Sequence, residues 1–131
     1  MNLLLWILQI LLAIYFLSVG VMHFIVPPGL PAPMSWMYEL SAPIHVISGT
    51  AEILGALGLI LPAATRIRPR LTVYAALGLV AVMILAALFH VQRGEFQNII
   101  MNLMVAGLAG FVAYGRSQLA PIAEKQRSAQ A

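Results

Sequence analysis

The chain has 131 residues, of which 62% are hydrophobic and only 8% charged, with a net charge of +3. A soluble domain carries about 25% charged residues, so this composition cannot build a water-facing surface, and it makes a lipid bilayer the solvent for most of the chain. The lack of cysteine excludes disulfides, thiolate metal sites and dithiol redox chemistry. The basic residues gather in short patches beside apolar runs, which marks membrane topology and not a nucleic-acid partner.

Leu3–Ile25 is the first apolar run. It is longer than the about 7–15 apolar residues of a signal peptide and has no basic region before it. It matches the about 20 residues that cross a bilayer as a helix, so it reads as a retained span. The connection that follows holds Pro27, Pro28, Pro31, Pro33 and Pro43, which disfavour helix interiors. Met34, Trp36, Met37, Tyr38 and Leu40 crowd the same stretch. Because Trp and Tyr favour the membrane interface, Ser35–Ser41 is predicted as a short interfacial helix on the outer surface.

The second span is predicted over Ile44–Leu61, and Pro62 and Pro69 bracket the turn after it. The third covers Leu71–Val91. Arg93-Gly94-Glu95 is so short a connection that the third span and the fourth, Phe96–Tyr114, must form an antiparallel hairpin. The second and fourth spans sit at the short end of the range. Residues 1–116 thus read as one all-α, integral membrane, antiparallel four-helix bundle, followed by a polar cytoplasmic tail over 117–131.

Orientation follows from the charges. With both ends inside, Arg66, Arg68, Arg70, Arg116, Lys125 and Arg127 are cytoplasmic and Arg93 alone is outside, as the positive-inside rule asks. Arg66, Arg68, Arg70 and Arg116 are expected to set topology and meet anionic lipid heads.

An ionisable residue inside a span is costly and marks a candidate site. Glu52 is the carboxylate well inside a predicted span. His45, Ser48, Gly49, Glu52 and Gly55 recur at helical spacing on one face, and Glu52 lies roughly 10 Å deeper than His45. His23, His90, Asn98 and Asn102 fall at similar depth on the other helices. The expectation is a polar pocket in the outer half, open or nearly open outward. Glu52 and His90 would act on protons there, and His23, His45, Ser48, Asn98 and Asn102 would bind the ligand. The cytoplasmic half holds Gln9, Tyr74 and Tyr114 but no expected ionisable cluster. Neither Glu-x-x-His nor His-x-x-x-His occurs, so no local pair supports a metal site.

The stretch Glu52 to Pro62, E-x-x-G-A-x-G-L-x-L-P, followed by Arg66 and Arg68-Pro69, then the H-x-x-R-G-E turn of His90, Arg93, Gly94 and Glu95, then Asn98 to Gly115-Arg116, resembles the DoxX-like family of small four-helix membrane proteins. The first helix departs from the family pattern, with Gly20 followed by His23 where relatives often carry a Lys. By motif position, Glu52, His90, Arg93 and Glu95 carry over. The resemblance implies the cytoplasmic (inner) membrane of a bacterium or archaeon. It also implies a link to quinone-dependent redox complexes, some relatives being subunits of thiosulfate:quinone oxidoreductases.

Two functions compete. One is a quinone-linked oxidoreductase subunit that takes electrons from a redox partner protein, with quinone as the candidate non-covalent cofactor. The other is a non-enzymatic carrier of a small hydrophobic ligand, or an anchor or assembly subunit of a larger complex. A homo-oligomer suits either.

Overall fold

The computed structural model describes residues 1–126. Arg127 and the end of the predicted polar tail lie outside the described residues. Four α-helices dominate: α1 (Asn2–Ile25), α2 (Ala42–Thr65), α3 (Arg70–Arg93) and α4 (Phe96–Tyr114). A 3-10 helix, Ala32–Glu39, links α1 to α2, and a π-helical turn, Gly115–Leu119, extends α4. The bundle is therefore all-helical.

Each of the four apolar spans is 24 residues long once the π turn is included. At about 1.5 Å per residue that is about 36 Å, enough for the about 30 Å hydrocarbon layer. Only 28–33% of the most apolar stretch of each span is buried inside the protein. Leu3, Ile47, Leu54, Leu85 and Phe96 are among many large apolar side chains facing outward. Such a surface is stable against acyl chains and not against water, and the chain is a multi-pass membrane protein.

Two spans differ from expectation. The second runs over Ala42–Thr65 and not Ile44–Leu61, because neither of its prolines breaks it. Pro43 lies in the first turn, where the backbone N–H has no intrahelical partner to lose. Pro62 removes one bond near the far end, and the helix continues for less than a turn beyond it. The fourth span gains its length from the π turn. The short helix of the first connection is a 3-10 helix over Ala32–Glu39, three residues earlier than Ser35–Ser41 at its start.

Packing runs mainly between chain neighbours, α1 on α2, α2 on α3 and α3 on α4, while α1 and α4 touch over a shorter stretch. The core lies across the middle and holds Leu12, Phe16, Leu59, Leu79, Met83 and Val112 with alanines between them. The closest approach of α1 and α2 is at Gly20 and Gly49. A Cβ on Gly49 would stand 2.8 Å from the Gly20 carbonyl oxygen and 2.9 Å from the His23 Cβ. Only glycine admits that crossing, and it sets His23 and Glu52 side by side.

The two ends of the bundle are chemically distinct. Arg66, Arg68, Arg70 and Arg116 gather at one, the arginine end. The 3-10 helix, Arg93 and Glu95 gather at the other, the cap end.

Candidate functional site

The buried face of α1 reads Leu5, Gln9, Leu12, Phe16, Gly20, His23, the a/d spacing of a helix packed against neighbours. That of α2 includes Gly49, Glu52, Gly55 and Ala56, and α3 brings Met83, Ala87 and His90 inward. Above the apolar core these faces diverge and enclose a cavity of about 330 Å³, at the lower end of the about 300–1,000 Å³ typical of small-molecule sites. Tyr15, His23, Ser48, Glu52, His90 and Asn102 supply its polar wall, and Val19, Ile44, Ala51, Met83 and Phe89 are among the apolar ones. Ile47 and Leu85 also line it and are 69% and 67% exposed. The rim between α2 and α3 is thus part of the lipid-facing surface.

Glu52 is 4% exposed. Its Oε2 stands 3.8 Å from the His23 Nε2, beyond hydrogen-bond range, and has no hydrogen-bond partner among the described residues. A buried carboxyl oxygen left unmatched costs free energy, so it is open to a ligand donor or a proton. On its other side His23 meets His45, Nδ1 to Nδ1, at 2.9 Å. One ring must donate and the other accept. His45 is half-buried toward the cap end, so Glu52, His23 and His45 form a file from cavity to surface.

His90 is 3% exposed and its Nδ1 stands 2.5 Å from the Glu95 Oε2. Hydrogen bonding from the Arg93 guanidinium, supported by bonds from His90 and Asn98 and opposed by a smaller burial effect, holds the Glu95 carboxyl well below the usual range, at about 2. An ionised carboxylate only accepts, so Nδ1 carries the hydrogen and Nε2 is left for a ligand. Arg93 also grips Glu39, with Nη2 donating to Oε1 at 3.0 Å and Nη1 to Oε2. Asn98 Nδ2 donates to the Pro33 carbonyl at 3.1 Å.

These bonds fasten the 3-10 helix over the cavity. Its Trp36 ring lies 5.3 Å from His90, edge to face, and 6.0 Å from His23, and Met37 beneath it is fully buried. The outward opening expected from the sequence is therefore roofed by Trp36.

Of the predicted site residues, His23, Ser48, Glu52, His90 and Asn102 line one cavity. His45 stands behind His23. Asn98 does not line the cavity: it sits one turn nearer the start of α4 than Asn102, within reach of the Pro33 carbonyl, and ties down the roof. Tyr15 and Trp36 were missed as site residues. The spacing of Tyr15, Val19 and His23 on one face of α1 is the signal that finds the first of them.

Arg116 is more deeply placed than its position at the end of the fourth span suggests. It is not a surface arginine but is 4% exposed. Its Nε donates to Gln9 Oε1 at 2.6 Å and its Nη1 to Asn2 Oδ1 at 2.6 Å, and its guanidinium lies 5.3 Å from the Trp6 ring centre. Gln9 Nε2 in turn donates to the Leu59 carbonyl at 2.5 Å. The arginine end thus holds one buried cation in a network of neutral amides and carbonyls whose members are far apart in the chain.

The sequence pattern of the DoxX-like family matches residues 7–112. The chain belongs to the DoxX-like family. Neither the curated proteins nor the solved structures contain a match to it. The matched region of this DoxX-like chain takes in the whole cavity wall, from Tyr15 to Asn102, and stops before Arg116.

Proposed function

We propose that this DoxX-like protein binds a membrane-dissolved quinone in the cavity under Trp36 and serves as a quinone-linked subunit of a redox complex. The observation that supports the reading most is the convergence of Glu52, His23, His90 and Asn102 on an apolar cavity whose rim, at Ile47 and Leu85, belongs to the lipid-facing surface. A molecule with a polar carbonyl head and an apolar tail suits such walls: the head meets the donors and acceptors, and the tail lies between α2 and α3.

A quinone bound there would supply two-electron, two-proton redox capacity, the electrons coming from a partner protein. The chain's own residues handle protons and position. Neutral His90 accepts at Nε2, and protonated His90 donates there, while Glu95 fixes the ring through Nδ1. Glu52 exchanges a proton with the ligand, and His23 and His45 link it to the cap end. Asn102 and Ser48 orient the head. The arginine end faces the cytoplasm of a bacterial or archaeal cell in this reading, and the cap end faces out.

Organic extraction of gently purified protein, with mass spectrometry of the extract, tests the proposal. A quinone recovered near one per chain from wild type and lost from Glu52→Gln supports it. Bulk phospholipid alone in both extracts refutes it.

The closed roof favours one second reading, a non-enzymatic carrier that shelters an apolar ligand. Binding of quinone without any effect on electron transfer by the native complex separates it from the first.

A further inference from the structure

The arginine end holds a second, larger cavity, of about 1050 Å³, between the start of α3 and the segment that follows α4. Arg68, Arg70 and Arg116 line it, with Tyr74 and Ile122 as apolar neighbours and Glu124 as the opposing charge. Three cations against one anion leave it positive. Two features add to that charge. The first turn of α3, a 24-residue helix, opens onto the cavity at Arg70 and Leu71, and a helix N-terminus favours an anion. Arg116, buried and held by Gln9 and Asn2 through Nε and Nη1, keeps its Nη2 buried and without a hydrogen-bond partner among the described residues. A guanidinium nitrogen left unmatched in the interior is costly, and an oxyanion beside it would complete its bonding.

We propose that this cavity is a phosphate-binding site, with Arg68 and Arg70 closing on the phosphate from the surface and the fixed Arg116 guanidinium behind it. The group recognised is the phosphate of an anionic phospholipid or a free phosphate ion. It lies at the opposite end from the quinone cavity and does not depend on that reading.

The test uses purified, delipidated full-length protein, by native mass spectrometry with phosphatidylglycerol or phosphatidylcholine and by calorimetry with inorganic phosphate. Arg68 and Arg70 are exposed, so the double variant R68Q/R70Q keeps the buried network. K125Q removes a charge from the same end at a residue outside the cavity lining, and Arg66 is kept because its Nε donates to the Ala123 carbonyl and holds the segment that forms one wall. The expected result is that wild type binds phosphatidylglycerol, inorganic phosphate or both in preference to phosphatidylcholine. R68Q/R70Q lowers that affinity by about tenfold or more, as for lost charge-assisted bonds, and K125Q leaves it unchanged. Binding of phosphatidylglycerol without competition from phosphate names the lipid as the source; binding of phosphate alone names the free ion. Equal losses in R68Q/R70Q and K125Q, or no preference among the ligands, would overturn the proposal.

Discussion

His23 on α1 and Glu52 on α2 face each other across 3.8 Å at the wall of the cap-end cavity, and the crossing of Gly20 and Gly49 holds them there. The Cβ of Glu52 lies 3.1 Å from where a Cβ on Gly20 would stand. The site is thus a consequence of how closely two helices approach, and substitutions at the crossing should report on it.

Gly49→Ala places a methyl group against the Gly20 carbonyl and His23. Overpacking of this kind costs about 1–3 kcal/mol, and it should part His23 from Glu52. Gly78→Ala meets nothing within 4 Å and should be neutral or slightly stabilising, because alanine favours the helix. Thermal unfolding in detergent checks the pair. Equal effects from both substitutions would show that the crossing is not tight.

The network at the arginine end makes a second prediction. Gln9→Leu removes the acceptor of the Arg116 Nε bond and leaves a buried guanidinium short of a partner. Bonds to charged groups contribute about 1.5–3 kcal/mol, and a loss of that size is expected in unfolding experiments. Quinone recovery per folded chain should not change, since Gln9 does not line that cavity.

The roof should be pH-sensitive. Glu95 has its pKa pushed down to about 2, chiefly by hydrogen bonding from Arg93, and Glu39 is lowered by the same guanidinium. For a depressed carboxyl the stabilisation is complete above the unfolded value of about 4.3 and is lost as pH falls through the folded value. The Arg93–Glu39 and Arg93–Glu95 bonds should therefore hold at neutral pH and weaken between about pH 4.3 and pH 2. In a Trp6→Phe background Trp36 is the remaining tryptophan, and its emission should shift over that window. Arg93→Gln should show the shifted emission already at neutral pH. An emission independent of both would mean that the ion pairs do not hold the roof.

The four spans were legible because apolar runs broken by Pro, Gly and Arg leave few alternatives in a chain this poor in charge. The ends of α2 are not, because proline in a sequence signals a break, whereas the first-turn Pro43 starts the helix and the late Pro62 only weakens its last turn. Glu52, His23, His90 and Asn102 could be found from depth alone. Asn98 shares a face with Asn102, so spacing cannot tell a cavity wall from a tie to Pro33, and the difference is one helical turn. The burial of Arg116 is not legible in the sequence: the topology rule counts charges and is blind to Gln9 and Asn2, more than a hundred positions away.

In the proposed function a quinone binds against Glu52 beneath Trp36. The most direct measurement is titration of a short-tailed quinone into nanodisc-embedded protein carrying Trp6→Phe, with quenching of Trp36 as the signal. Saturable quenching is expected, weakened about tenfold or more when Glu52→Gln or His90→Ala removes a charge-capable partner, with no such weakening in R68Q/R70Q at the far end. Quenching that rises linearly without saturation, or that is the same in all variants, would contradict it.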